Sequence, residues 1–191
     1  VRNPLNVATG RLELVQDEVD NENLDRIADA HTRMEELIAE ILTLARQGEP
    51  IGETEPVQVV ALARGCWEVV DTTDATLQIE DEMTVTADRD RLQQLLENLL
   101  RNAIQHGGDA VAIRFGPLGD RSGFYVEDDG DGIAATERDE IFDSGYSTAT
   151  DGTGFGLAIV AEIVDAHGWT IGITESDTGG ARFEIETSSP S

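Results

Sequence analysis

The sequence predicts an α+β chain, an N-terminal antiparallel helical hairpin followed by an α/β sandwich. Three observations carry the expectation. Over the first 48 residues, apolar side chains recur in steps of three and four. From Val57 onward that spacing alternates with short strand-like runs. Glycine pairs at 107–108 and 179–180 fall where turns between elements belong. A length of 191 residues holds one full domain and a smaller element, and 39% apolar residues can build its core.

Leu5, Ala8, Leu12, Val15 and Val19 form one helical stripe, and Leu24, Ile27, His31, Met34, Ile38, Ile41 and Ala45 form the next. Asp20-Asn21-Glu22-Asn23 reads as the polar turn between them, and His31, on the stripe, reads as core. Gly48-Glu49-Pro50 ends the second helix. The hairpin thus occupies 1–48, a linker 49–56 and the second domain 57–188. A lone hairpin cannot bury both stripes, so it must form a four-helix bundle with a second copy or pack on its own domain.

In the second domain, Val59 to Val70 reads as a helix, and Thr76–Ile79 and Thr84–Ala87 as short strands around an acidic turn. Asp88 is placed to cap a long helix with Leu92, Leu95, Leu96, Leu99 and Ala103 on one face. His106-Gly107-Gly108 stops it. Strands at Val111–Phe115 and Phe124–Glu127 follow, then a helix from about Gly154 to Ala166 with His167 at its C-terminus. Strands Thr170–Thr174 and Ala181–Glu186 flank the Thr178-Gly179-Gly180 turn. Mixed strand pairing, not a regular βαβ series, is the expected layer.

Composition narrows the function. Acidic residues number 39 against 13 basic ones, for a net charge of −26, and every basic residue is Arg. Ordinary usage would place on the order of ten lysines in such a chain. A surface of this kind repels nucleic acid at low salt and is screened within ~3 Å at molar salt. The composition resembles that of proteins from salt-accumulating haloarchaea; a chance acidic bias is the alternative. Nucleic-acid partners are not expected. The single cysteine, Cys66, excludes an internal disulfide and a multi-cysteine zinc site, and beside Trp67 it reads as core. No apolar run reaches the ~18 residues of a membrane span, and no signal peptide is visible. The chain reads as cytoplasmic. Because it starts without Met and in mid-pattern, it also reads as part of something longer, with any membrane anchor upstream.

A phosphate loop ending in Gly-Lys-[Ser/Thr] and a strand lysine of the eukaryotic-kinase type are both impossible without Lys. A dinucleotide fingerprint also fails, because Gly130 and Gly132 lack a third glycine at the right spacing. Three patterns remain. On the helix from Asp88, Gln94, Asn98, Asn102 and Gln105 share the face opposite the leucines, and Asn98 and Asn102 project together as i,i+4 neighbours. Amide oxygens are hard ligands suited to Mg²⁺ alongside phosphates and waters; a solvated polar face is the bland reading. Next, in Asp128-Asp129-Gly130-Asp131-Gly132, an Asp at a strand end can accept an adenine amino group while glycines let the chain turn against the base. An acidic turn or a calcium loop is the alternative, the latter only a partial match because its twelfth position is Asp139. Third, Gly152-Thr153-Gly154-Phe155-Gly156-Leu157 runs into an amphipathic helix, where bare N–H groups and the helix dipole favour phosphate. The polar stretch from Ile141-Phe142 to Asp151 suits a mobile lid, or is a plain surface loop.

In order and spacing these patterns resemble the Bergerat-fold ATPases, the superfamily of gyrase, MutL, the heat-shock chaperone ATPase and the histidine kinases. The N-box is matched by Asn98-Leu99-Leu100-Arg101-Asn102-Ala103-Ile104-Gln105-His106, and the first glycine box by Asp128 to Gly132. Ile141-Phe142 matches the F box and Gly152 to Leu157 the second glycine box. The resemblance spans about Val57 to Thr187. It implies that Asn102 binds Mg²⁺ and Asp128 the adenine amine. The ATP site would also include Gln105, Gly130, Gly132, Thr148, Gly152, Thr153, Gly154, Phe155, Gly156 and Leu157. Hydrolysing members place a Glu base four residues before the metal Asn; that position here is Asn98, so no carboxylate activates water there.

That difference, with the N-terminus Val1-Arg2-Asn3-Pro4-Leu5, points to the histidine kinases, whose phosphoacceptor box ends similarly. On that resemblance the accepting histidine falls two places before Val1, and Asn3 orients water for dephosphorylation of a response regulator. Asn98 and Asn3 are then the expected catalytic positions. Partners would be ATP, a receiver domain and a second copy joined through the hairpin. Two family cations are absent: Gln105 stands where Lys or Arg is common, and Ser147 where a lid Arg is common. Arg101 or Arg138 is the candidate substitute. A sensor histidine kinase core is therefore expected, with a non-catalytic ATP-binding module as its rival. A repair-type hydrolase is disfavoured by Asn98.

Overall fold

The computed structural model describes residues 51–70, 74–108, 110–119, 121–138, 140–142 and 154–187, with single positions among residues 12–34. The chain divides into two units, Val1–Gln47 and Gly48–Ser191. In the first, Leu12 and Val15 are helical, as are Asn23, Leu24, Ile27, Ala28, Ala30 and Met34. Between them Asn21 opens the second helix. Its side chain accepts the Asn23 N–H at 2.9 Å and its carbonyl the Leu24 N–H at 2.7 Å, a cap of the type Asn favours. Half of the residues of the two apolar stripes, His31 included, lie outside the described residues.

The second unit runs β1 (Glu55–Gln58), α1 (Val59–Val69), β2 (Thr76–Ile79), β3 (Thr84–Ala87), α2 (Arg89–Gly107), β4 (Ala112–Pro117), β5 (Gly123–Glu127), α3 (Gly156–Ala166), β6 (Thr170–Glu175) and β7 (Ala181–Glu186). This is the α+β class expected. Five strands form one sheet in the order β2-β4-β5-β7-β6. Only β2 and β4 run parallel; the other pairs are antiparallel. The remaining strands, β1 and β3, make a separate antiparallel ribbon.

The periodicity does not predict β1, and Glu55 and Pro56 fall within the stretch that reads as linker. Four residues containing a proline carry little strand signal, and proline is tolerated because an edge strand leaves N–H groups unpaired. The other elements lie where the periodicity puts them. Period-2 alternation divides the sheet: Ile113, Phe115, Phe124, Val126, Phe183 and Ile185 are buried on one face. Leu92, Leu95, Leu96 and Leu99 of α2, with Ile159, Val160 and Ile163 of α3, belong to the same core. Cys66 is buried there too, and burial pushes its thiol up to about 12, as befits a core residue. The opposite face carries Arg114, Glu127, Arg182 and Glu184; Glu127 pairs across strands with Arg114 and Arg182, and Arg182 pairs with Glu184 along β7.

Both ends of α2 are sharply defined. At its start Asp88 accepts N–H bonds from Asp90 and Arg91. At its end Gly108 turns the chain with φ 89°, a conformation glycine adopts without strain.

Candidate functional site

Asp128 follows β5 directly and is 7% exposed. Its N–H donates to the Ala181 carbonyl at 2.9 Å. Its Oδ1 accepts the N–H of Gly130 at 2.9 Å and that of Ala181 at 3.1 Å. Among the described residues no hydrogen bond reaches Oδ2. The carboxylate is therefore held at one oxygen and offers the other. Burial pushes its carboxyl up from the usual value, the two backbone N–H groups pull it down, and neighbouring Asp129 adds to the rise. Asp129 itself turns away, accepting the Ala112 N–H at 2.7 Å.

The loop after Asp128 is wedged between two backbones. A Cβ on Gly130 would stand 2.6 Å from the Gly107 Cα, at the end of α2. A Cβ on Gly180, in the β6–β7 turn, would stand 2.2 Å from the Asp128 carbonyl oxygen. Only glycine permits either approach. The same packing brings His106 near Asp128: burial lowers the pKa of the ring, and the Asp128 charge opposes that fall.

Along α2, Asn98 is half-buried and its Nδ2 donates to the Gln94 carbonyl at 2.8 Å. That leaves the amide oxygen outward, toward α3: a Cβ on Gly156 would lie 3.3 Å from Asn98 Oδ1. Asn102, one turn on, is half-buried and Gln105 exposed. Gly154 has φ 74°, so α3 begins at Gly156, two residues later than the pattern predicts, with Phe155 at its N-cap. Phe155 has no side chain to satisfy the first N–H groups, which suits an anion there. Phe155 and Leu157 pack partly buried against the core.

The amide face of α2, the Asp128–Gly132 loop and the start of α3 thus border the C-terminal half of one helix. Ile141 is buried and Phe142 packs beside it on the core. Arg138 donates its Nε to the Ile133 carbonyl at 3.1 Å, and Arg101 is exposed on α2. Thr148, Gly152, Thr153 and Asn3 lie outside the described residues.

No group of three or more His, Cys, Asp or Glu side chains able to hold a metal occurs among the described residues. The donors at hand are the Asn98 and Asn102 amides, which fit a hard cation that keeps waters and phosphates as its other ligands. Sequence reasoning missed Ser176, which is 5% exposed and donates its hydroxyl to the Asp128 carbonyl at 2.8 Å. It also missed Gly180, which reads only as part of a turn. No short-range pattern signals either contact.

A family profile described as "Histidine kinase-, DNA gyrase B-, and HSP90-like ATPase" matches residues 87–190, and one described as "His Kinase A (phospho-acceptor) domain" matches residues 1–50. The chain belongs to the histidine kinase family. This histidine kinase chain is 34% identical to the sensor protein RstB of Escherichia coli K12, over 81% of the chain and 39% of that protein. To the signal transduction histidine-protein kinase BaeS of the same organism it is 29% identical, over 97% of the chain and 44% of that protein. Full-length ShkA in complex with AMPPNP superposes with a TM-score of 0.68 at 27% identity, covering 97% of this chain and 43% of that one. The chain spans under half the length of these relatives. The ATPase profile makes residues 87–190 of this histidine kinase chain part of an ATP-binding domain, and residues 1–50 are of the phospho-acceptor type.

Proposed function

We propose that the chain binds Mg-ATP at the face of α2 and passes the γ-phosphoryl to a histidine of a helical hairpin, for relay to a response-regulator Asp. One observation carries the reading: the Asp128 carboxylate is anchored at Oδ1 and open at Oδ2. An acceptor so held takes the adenine amine and discriminates against guanine, which presents a carbonyl there. The N–H groups of Gly156 and Leu157, with the glycines from Gly152, would hold phosphates. Asn102, with Asn98 beside it, would hold Mg²⁺, which supplies charge neutralisation on the phosphate oxygens. Asn98 offers no carboxylate to activate water, which favours transfer over hydrolysis. Positioning and fixed charge supply most of the rate in such transfers.

Asn3 is proposed to orient water in the reverse, phosphatase sense. The hairpin is proposed to pair with a second copy: Val15, Val19, Ile27 and Met34 are 44%, 50%, 50% and 45% exposed, apolar surface that a four-helix bundle would cover. Among the described residues no helix is long and apolar enough to cross a membrane. We further propose adaptation to molar salt, since 39 acidic residues against 13 basic ones repel one another in dilute buffer. A chain that melts as cooperatively in dilute buffer as in molar salt would refute this.

The test is labelled ATP with the chain extended upstream through a histidine. Phosphoprotein that is labile in acid and stable in base is expected. Two observations favour the rival, a non-catalytic ATP-binding module: Gln105 brings no cation, and Arg138 is tied to Ile133. Nucleotide binding without any label would establish it.

A further inference from the structure

We propose that Ser176 is a positioning residue for base recognition, locking the β6–β7 turn onto Asp128 so that Oδ2 alone faces the nucleotide. The inference rests on the reading of Asp128 as the acceptor of the adenine amine. Three described polar or charged residues are buried: Glu127, Asp128 and Ser176. Glu127 is neutralised by arginines on the outer face. Ser176, in contrast, points at the backbone of Asp128.

Its hydroxyl is fully committed. It donates to the Asp128 carbonyl at 2.8 Å, accepts the Gly180 N–H at 2.9 Å and lies 3.0 Å from Thr178 Oγ1. A hydroxyl has one proton and two acceptor lone pairs. With the proton directed at Asp128, Thr178 is the donor across the third contact, and its hydroxyl also lies 3.5 Å from the same Asp128 carbonyl. Nothing is left over, so the group cannot rotate to serve another partner.

A serine that merely closed a turn would bond within the hairpin. The main chain already closes this one, through Ser176 N–H to the Gly180 carbonyl at 2.9 Å and Gly179 N–H to the Ser176 carbonyl at 3.0 Å. Besides its contacts within the hairpin, the hydroxyl spends its proton across 48 residues of sequence, on Asp128. Its effect reaches the carboxylate through Ala181, one residue past Gly180, whose N–H holds Oδ1 at 3.1 Å. Carbonyl, N–H and Oδ1 of Asp128 are thereby all fixed by one turn. Without the hydroxyl the carbonyl keeps only the longer Thr178 contact at 3.5 Å, and the turn holds the Ala181 N–H less firmly against Oδ1.

The experiment uses the whole chain in molar salt. Dissociation constants are measured for ATP and for purine riboside 5′-triphosphate, which lacks the 6-amino group, with thermal melting as the control for folding. Ser176→Ala should weaken ATP about fivefold and purine riboside triphosphate little, moving their ratio toward one. Ser176→Thr, which keeps a hydroxyl, should restore the ratio. If Ser176→Ala loses its cooperative melt, Ser176→Cys, of similar volume and a weak donor, is read the same way. A wild-type ratio in a folded variant, or equal weakening of both nucleotides, overturns the proposal. Asp128→Asn separates the two levels. If it also leaves the ratio untouched, the reading of Asp128 falls; if it alone collapses the ratio, only the role of Ser176 falls.

Discussion

Replacing Asp88 tests whether the start of the amide-bearing helix is held as the structure indicates. One carboxylate does two jobs there. Oδ1 accepts the Asp90 and Arg91 N–H groups at 3.1 and 3.2 Å, and Oδ2 accepts the Gly52 N–H at 2.8 Å. Losing an N-cap costs about 1 kcal/mol, and losing a partly exposed hydrogen bond about 1 kcal/mol more. Asp88→Ala should therefore cost ~2 kcal/mol and lower the melting temperature by roughly 4–8 °C for a chain of this size. Asp88→Asn can keep its oxygen on the helix but presents an NH₂ to Gly52, so it should cost about half as much. Burial alone would raise the Asp88 carboxyl, yet N–H bonds from Arg91, Gly52 and Asp90 outweigh it and hold the pKa below the ordinary 3.8. A depressed folded pKa means the stabilisation is present above the unfolded value and is lost as pH falls through the folded one. The gap between wild type and Asp88→Ala, read by urea denaturation, should thus be full at neutral pH and narrow below about pH 4. ATP affinity should change little, because Asn98 lies more than two turns along α2. An Asp88→Ala chain as stable as wild type, or a gap that ignores pH, would refute the argument.

Gly130→Ala should cost about 1–3 kcal/mol by overpacking and weaken ATP at least tenfold, because its Cβ meets the Gly107 Cα at 2.6 Å; unchanged affinity by calorimetry would contradict the wedge. ATP affinity should fall as pH drops through the Asp128 carboxyl, at a pH above the ordinary 3.8, since the amine needs the ionised form. The stability contribution of that group runs the opposite way, because a raised folded pKa favours the folded chain at low pH. Asp128→Asn should flatten both curves in parallel titrations. Cys66, pushed up to about 12, should resist aromatic disulfide reagents at pH 8 until the chain unfolds; rapid native labelling would place it outside the core.

Local signals are legible because local physics sets them. Asp88 announces its cap within three residues, and the leucines of α2 announce their face by period. Asp128 and the glycines after it can be recognised because an acidic strand end with adjacent glycines is itself a short-range pattern. The partners of these residues cannot be read. Asp88 also bonds Gly52, 36 residues away, and its N–H donates to His167 Nε2, 79 residues away. Ser176 reaches Asp128 across 48 residues. Such contacts depend on how elements pack, and a buried serine looks the same in sequence as one in a solvated turn. β1 escapes for a different reason: a four-residue edge strand is stabilised by its ribbon partner, not by its own pattern.

Alternation along β5 places Glu127 outward and Asp128 inward, so one strand end is gripped from both faces. Outside, the register sets Arg114, Glu127 and Arg182 side by side across β4, β5 and β7. Glu127, 4% exposed, accepts from Arg114 at 2.8 Å and Arg182 at 2.5 Å. Two cations on one carboxylate is a high concentration in a chain with 13 basic residues against 39 acidic ones. Exposed pairs at longer range vanish in molar salt, where screening acts within ~3 Å. Contacts at 2.5–2.8 Å around a buried carboxylate persist, because no ion or water enters between the partners. Inside, the β6–β7 turn holds Asp128. The contacts that hold Asp128, the carboxylate proposed to read the base, are thus short-range hydrogen bonds to backbone N–H groups, which self-repulsion of the surface does not break.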